Sequence, residues 1–325
     1  WRYLVNLDFG VTTVHDPSAS TELVFTQGER IAAGLEVGPR VFSTGFVLYG
    51  ALSNFNAETP DAEAAMAHVQ RLKDLGAVSV KVYQQSRRDQ RQWYIQACNA
   101  LGILCVAEGG GDIWMNLGMA ADGMHAVEHA LPRAPLYDDV KGFFSANANP
   151  GKGTWGTAYT QTLNVAYGGM GGQHWYWQHM HPFADDNPDG ERLLRHWPRR
   201  NLDAKAWRRS VLMQDGDWNH EQVARDAADM LRKGLLTTLG AHGELQGLGV
   251  HWELWSMAGP GAMTPTEALF SATMGGARYL GMAHELGSLE AGKVADFVVL
   301  SDDPRDDIHN STHIDFVVRN GELWD

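Results

Sequence analysis

"LGAVSVKVY", Leu75–Tyr83, is the stretch on which the reading of the fold turns. Gly76 suits the left-handed residue that closes a helix, and Val78–Val82 is a short β-branched run of the kind that fills a strand buried on both faces. Lys81 interrupts that run. An unpaired ammonium in apolar surroundings is costly, so a lysine here needs a partner.

Upstream, Thr59 and Pro60 are placed to serve as N-cap and first helical residue, and Met66, Val69 and Leu72 form an apolar stripe leading to Gly76. Other short apolar runs repeat the pattern at Val11–Val14, Arg40–Ser43, Ile103–Ala107, Ala126–His129, Thr160–Val165 and Leu235–Leu239. They alternate with helical segments, which predicts a parallel sheet with crossover helices. A further helix is predicted over Pro265–Tyr279, where Thr264 and Glu267 have the spacing of a capping box. Seven such strands favour an α/β fold of the (β/α)8 TIM-barrel type with one strand absent.

The chain has 325 residues, 44% of them hydrophobic, enough for one large α/β domain with a small annex. Its net charge is −13 and no Lys/Arg run could track a phosphate backbone, which argues against nucleic acid. No stretch has the ~18–20 apolar residues of a membrane span. Cys98 and Cys105 lack metal or redox spacing and read as buried thiols. "AEGGGD", Ala107–Asp112, has the wrong glycine spacing for a phosphate cradle and reads as a tight strand-to-loop turn.

About seventy residues separate the strands near Val165 and Leu239, far more than an ordinary βα connection. The segment 167–220 carries Tyr167, His174, Trp175, His179 and His181 and reads as a lid over the C-terminal face of the strands, or as a self-packed surface excursion. Tyr167, His174, Trp175 and, from "TTVHDPS", His15 are candidate substrate contacts.

Four strand ends terminate in groups able to bind metal: Lys81, Glu108 in "ILCVAEGG", His129 in "HAVEHAL" and His242 in "LGAHGELQG". Singly, each has an ordinary structural explanation. Together, at the ends of strands spaced as in a barrel, they favour one site.

"MTPTEALFSATMGGARYLGMAHELGSLEAGKVADFVVLSDDP", followed by "HIDFVVRNGELW", resembles the last barrel helix and the return into a small β-sandwich of the amidohydrolase superfamily. "FGVTTVHDPS", "VGPRVFSTG", "LGAVSVKVY" and "HAVEHAL" are similar to the ends of its second, third, fourth and sixth strands. The prolidase-like and imidazolonepropionase-like branch is the nearest in pattern. The resemblance implies that Lys81 is the fourth-strand lysine, carboxylated and metal-bridging in prolidase-like members, and that His129 is the sixth-strand ligand. Glu108 stands where the family has a histidine, and His242 where it has the aspartate that binds metal and acts as base; Glu244 is the alternative base. The implied cofactor is a divalent metal, zinc first, with manganese, iron or cobalt as alternatives.

The family's first-strand His-x-His has no counterpart; His179 and His181 alone share its spacing. The chain is therefore expected to be an N-terminally truncated barrel, 1–284, carrying the 167–220 insertion, with 285–325 as a β-sandwich remnant. Exposed strand edges are expected to be covered by a homo-oligomer contact or by a separate N-terminal segment. The expected function is metal-dependent hydrolysis of small amide, peptide or ester substrates. The alternative is a non-catalytic barrel fragment completed by a partner. A carbohydrate-binding module with Trp platforms would leave the strand-end ligands unexplained.

Overall fold

The computed structural model describes residues 1–50, 58–146, 148–149, 154–167, 169–180, 188–210 and 213–324. Its strands are β1 Thr13–Asp16, β2 Arg40–Ser43, β3 Leu48–Tyr49, β4 Ser79–Tyr83, β5 Leu104–Glu108, β6 Ala126–Glu128, β7 Ala148–Asn149, β8 Thr154–Trp155, β9 Ala158–Thr160, β10 Thr237–Thr238, β11 Phe297–Leu300, β12 Ile314–Arg319 and β13 Glu322–Trp324. Six form one parallel sheet in the order β10-β9-β6-β5-β4-β3, and β1 pairs in parallel with β2. Val78 N–H donates to the Ser43 carbonyl at 3.3 Å, joining the end of β2 to the start of β4. Among the described residues β10 and β1 share no ladder, so the barrel is not closed by hydrogen bonds.

The two faces of these strands differ as a period of two requires. Val80, Val82, Cys105 and Ala107 pack under the helices Ala62–Asp74 and Arg88–Leu101, against Val69, Leu72, Tyr94 and Cys98. Val106, Ala126, Ala158 and Leu236 meet Tyr279 on the other face. Cys98 and Cys105 are buried free thiols, as expected.

Several boundaries differ from those expected. The helix Ala62–Asp74 is capped by Asp61, whose carboxylate accepts from Ala64 N–H at 2.8 Å, not by Thr59; Gly76 does follow its C-terminus, at φ +103°. β1 lies two residues further on than Val11–Val14, and β10 keeps only the centre of Leu235–Leu239. The run Thr160–Val165 is not a strand: β9 ends at Thr160, Thr162 takes φ +45° and Leu163–Val165 form a 3-10 turn. Glu253 accepts from the backbone N–H groups of Leu163 and Asn164, which removes them from any ladder. "AEGGGD" makes the expected turn, with Gly110 at φ +60° and Asp112 capping the helix Ile113–Asp122; a Cβ on Gly109 would lie 2.6 Å from Asn116 Oδ1.

The predicted C-terminal helix is present as Pro265–Phe270, a π segment Ser271–Gly275 and Gly276–Tyr279. Gly275 lies so close to β10 that a Cβ there would sit 2.6 Å from the Thr237 carbonyl, and Ser271 Oγ is 2.8 Å from Thr237 Oγ1. Thr264 and Glu267 form the capping box reciprocally. Thr264→Ala is expected to cost about 1 kcal/mol, read from denaturant midpoints, because the box satisfies two end N–H groups; no change would contradict the assignment.

The insertion is built into the core. Tyr176 and Trp177, from the helix Gly172–His179, join Leu193 and Trp197 in a cluster with Trp252 and Trp255 of the helix Leu248–Met257. Tyr176 stacks on Trp252 with ring centroids 5.1 Å apart. β11, β12 and β13 form an antiparallel sheet, tied to the strand domain by the ion pair of Arg40 with Asp296 at 2.8 Å. No described helix is long and apolar enough to cross a membrane.

Candidate active site

Strand alternation places Ser79, Lys81 and Tyr83 together on one face of β4, opposite the face that carries Val80 and Val82. Lys81 Nζ lies 2.5 Å from Glu108 Oε2, at the end of the neighbouring β5, with both side chains buried. His129 Nε2 is 3.6 Å from the same oxygen. The Tyr167 hydroxyl donates to Glu108 Oε1 at 2.5 Å. The His129 ring lies 5.3 Å from Tyr167 and 5.0 Å from His242, centroid to centroid.

His129 and His242 both adopt left-handed backbone, at φ +70° and +55°. For residues with a Cβ this conformation is strained, and strain of this kind gathers at functional sites. It turns His129 into the cluster although Glu128, one residue earlier, already points to buried partners: Tyr279 Oη donates to Glu128 Oε1 at 2.8 Å.

Burial pushes the His129 imidazole down to about 4, with Glu108 opposing and Lys81 and His242 adding to the effect. It is neutral near pH 7, with a free lone pair. Burial also works against the Glu108 charge, but Lys81, His129 and the hydrogen bonds from Lys81 and Tyr167 hold its carboxyl below the ordinary range. Burial, then the neighbouring Glu108, raise the Tyr167 phenol, so it keeps its proton. His242 is lowered by burial against the pull of Glu244 and Glu108.

Of the substrate-contact candidates, Tyr167 belongs to this cluster. His15 lies on the same face below Lys81, its Nε2 2.7 Å from Ser79 Oγ. His174 and Trp175 are placed elsewhere: His174 faces Trp207 at 5.7 Å, and Trp175 stacks on His179 at 4.8 Å. Their rings pack within the insertion and are not brought into contact with Lys81, Glu108 or His129. His181 lies outside the described residues. Glu244 is held by Lys205 at 2.6 Å and Arg208 at 3.4 Å, so its carboxylate is committed to the insertion. Tyr83 and Glu128 were not among the residues singled out from sequence. Tyr83 stands two positions after Lys81, on the same strand face, and its ring lies 6.0 Å from the Lys81 ammonium.

Among the described residues no three His, Cys, Asp or Glu side chains converge at metal-binding range. His242 therefore does not complete a ligand set with Glu108 and His129. Those two fit a divalent ion as a pair: two donors on one tetrahedral zinc at ~2.1 Å are ~3.4 Å apart, and Glu108 Oε2 and His129 Nε2 are separated by 3.6 Å. His129 Nδ1 is buried without a partner, and Lys81 is the third group in reach.

The sequence model of the Amidohydrolase family matches residues 221–324. Imidazolonepropionase from Erwinia tasmaniensis is 61% identical over 36 residues, a match spanning 11% of this chain and 9% of that protein. Among solved structures, a Xaa-Pro dipeptidase with bound methionine superposes with a TM-score of 0.70 at 18% identity, covering 100% of this chain and 77% of that one. A putative prolidase from Bifidobacterium longum gives 0.72 at 21% identity, covering 99% and 75%. The chain thus matches the Amidohydrolase family by sequence over residues 221–324, and over its whole length it shares the fold of these solved structures.

Proposed function

We propose that this chain is a hydrolase of amide or peptide C–N bonds, with carboxyl esters as secondary substrates, and that Lys81, Glu108, His129, Tyr167 and His242 form its reaction centre. The observation that carries the reading is the meeting of Lys81, Glu108 and His129, from three different strand ends, with Tyr167 from the insertion. The names of the Xaa-Pro dipeptidase and the putative prolidase support the choice of bond.

A divalent cation held by Glu108, His129 and a carboxylated Lys81, zinc first and manganese, iron or cobalt as alternatives, would polarise the scissile carbonyl and acidify the attacking water. Glu108 is fixed for this by Tyr167, which occupies its second oxygen. His242, neutral near pH 7, accepts the proton of the attacking water and returns it to the leaving nitrogen. His15 supports the face below Lys81. Residues 167–220 act as the lid, and 285–325 as an annex bracing the strand domain.

The test pairs elemental analysis with turnover of dipeptides and activated esters. We expect at least one metal ion per protomer, loss of turnover on chelation and recovery on adding zinc or manganese. Full turnover by metal-free protein would refute the metal role. No turnover by metal-replete protein on any of these substrates would refute the hydrolase reading.

A further inference from the structure

Glu253 has no exposed surface, and no cation pairs with it among the described residues. It stands in the helix Leu248–Met257, whose neighbouring residues Trp252, Leu254 and Trp255 are buried and apolar. Packing alone would favour another apolar side chain here, because a buried carboxylate without compensation is expensive. Its compensation is specific. Glu253 Oε1 accepts from Leu163 N–H at 2.6 Å and Oε2 from Asn164 N–H at 2.9 Å.

The turn it grips leads directly into the reaction centre. Asn164 Nδ2 donates to the Gly249 carbonyl at 2.8 Å, Asn219 Nδ2 donates to the Tyr167 carbonyl at 2.7 Å, and the Tyr167 hydroxyl reaches Glu108. The helix bearing Glu253 begins one residue after Gly247, closing the loop that carries His242. One carboxylate thus ties the connection after β9 to the helix that follows β10.

We infer that Glu253 is a positioning residue: it fixes the turn Leu163–Val165 so that Tyr167 meets Glu108. This rests on the reading of Lys81, Glu108 and His129 as the reaction centre. The titratable groups that face Glu253 are Tyr159 of β9 and Tyr176 of the helix Gly172–His179, both kept neutral by burial. Glu253 therefore titrates alone, raised by burial to about 8 against the pull of the two N–H groups. The ionised carboxylate accepts both amide hydrogens. The protonated acid sets an O–H against one of them, so the clamp tightens as pH rises through about 8.

The test is made at pH 9, where Glu253 is ionised; it places 3-fluorotyrosine at position 167 and follows its ¹⁹F resonance. Glu108→Gln, which weakens the acceptor, gives the reference shift. In Glu253→Gln we expect a shift in the same direction and of comparable size, with far-UV circular dichroism unchanged. A wild-type resonance in folded Glu253→Gln would overturn the inference. Should that variant not fold, amide exchange in the wild-type protein decides: protection of Leu163 and Asn164, corrected for intrinsic rates, should rise at least threefold from pH 7 to 9, and pH-independent protection would overturn it. Both readouts work without turnover, so an inactive wild-type protein would refute the hydrolase reading and leave this link to be judged by itself. In an active protein, Glu253→Gln and Tyr167→Phe should each lower kcat/KM about tenfold, and the double variant no further, because one acts through the other.

Discussion

Lys81→Met is expected to bring amide and ester turnover to background, a loss well beyond the about 10–100-fold that removal of an outer-shell partner causes. The lysine touches the centre itself, 2.5 Å from Glu108. In the metal-free protein it should also cost about 3–5 kcal/mol of stability, because methionine leaves the buried Glu108 carboxylate without its cation. The two effects separate in Lys81→Met/Glu108→Gln. That double variant removes both charges, retains a hydrogen-bond acceptor for Tyr167, and should regain much of the stability while staying inactive. Steady-state assays beside denaturant unfolding read both effects. Turnover near wild type in either variant would remove Lys81 from the reaction centre. Unchanged stability in the single variant would mean that Glu108 has taken up a proton in place of its partner.

Lys81, Glu108 and His129 stood out in sequence because Lys81 interrupts a short apolar run and the other two close one, and the structure brings the three side chains together. Tyr167 was legible only as a member of an aromatic-rich insertion; its aim at Glu108 comes from the turn that Glu253 holds. His174 and Trp175 carried the same signal and pack elsewhere, since residue type does not encode whether an aromatic faces a cleft or its own segment's core. The strand expected over Thr160–Val165 failed for a related reason. Its alternation is strand-like, but a carboxylate some ninety residues later takes the backbone N–H groups. Local propensity yields to a tertiary partner that lies outside any local window. Short strands such as β3, paired over two residues with the end of β4, lie below what periodicity can resolve.

Stability of the metal-free protein should pass through a maximum near pH 7, and the sign follows from five buried groups. Burial lowers His15, His129, His220 and His251 to about 4 in the folded protein, against 6.5 unfolded. For His251 the fold offers both ring nitrogens neutral partners, Ser311 Oγ at 2.9 Å and the Phe9 carbonyl at 3.0 Å. Between about pH 4.5 and 6 the unfolded chain binds up to four protons at these positions that the folded chain refuses. Glu253 acts in the opposite sense: its folded value of about 8 lies above the unfolded ~4.3, so the folded chain holds one proton that the unfolded chain has lost. The net excess of three protons on unfolding makes stability rise with pH, by at most about 4 kcal/mol per pH unit. Above about pH 7.5 the histidines are neutral in both states and Glu253 remains alone, so stability falls by up to about 1.4 kcal/mol per unit until its own titration near pH 8 is complete. Guanidinium unfolding at pH 5, 6, 7 and 8 measures both limbs. A monotonic rise through pH 8 would contradict the state assigned to Glu253, and a flat profile from pH 5 to 6.5 would contradict those of the histidines. His251→Gln offers an internal control: it removes one of the four protons and should flatten the acid limb by about a third without moving the alkaline one.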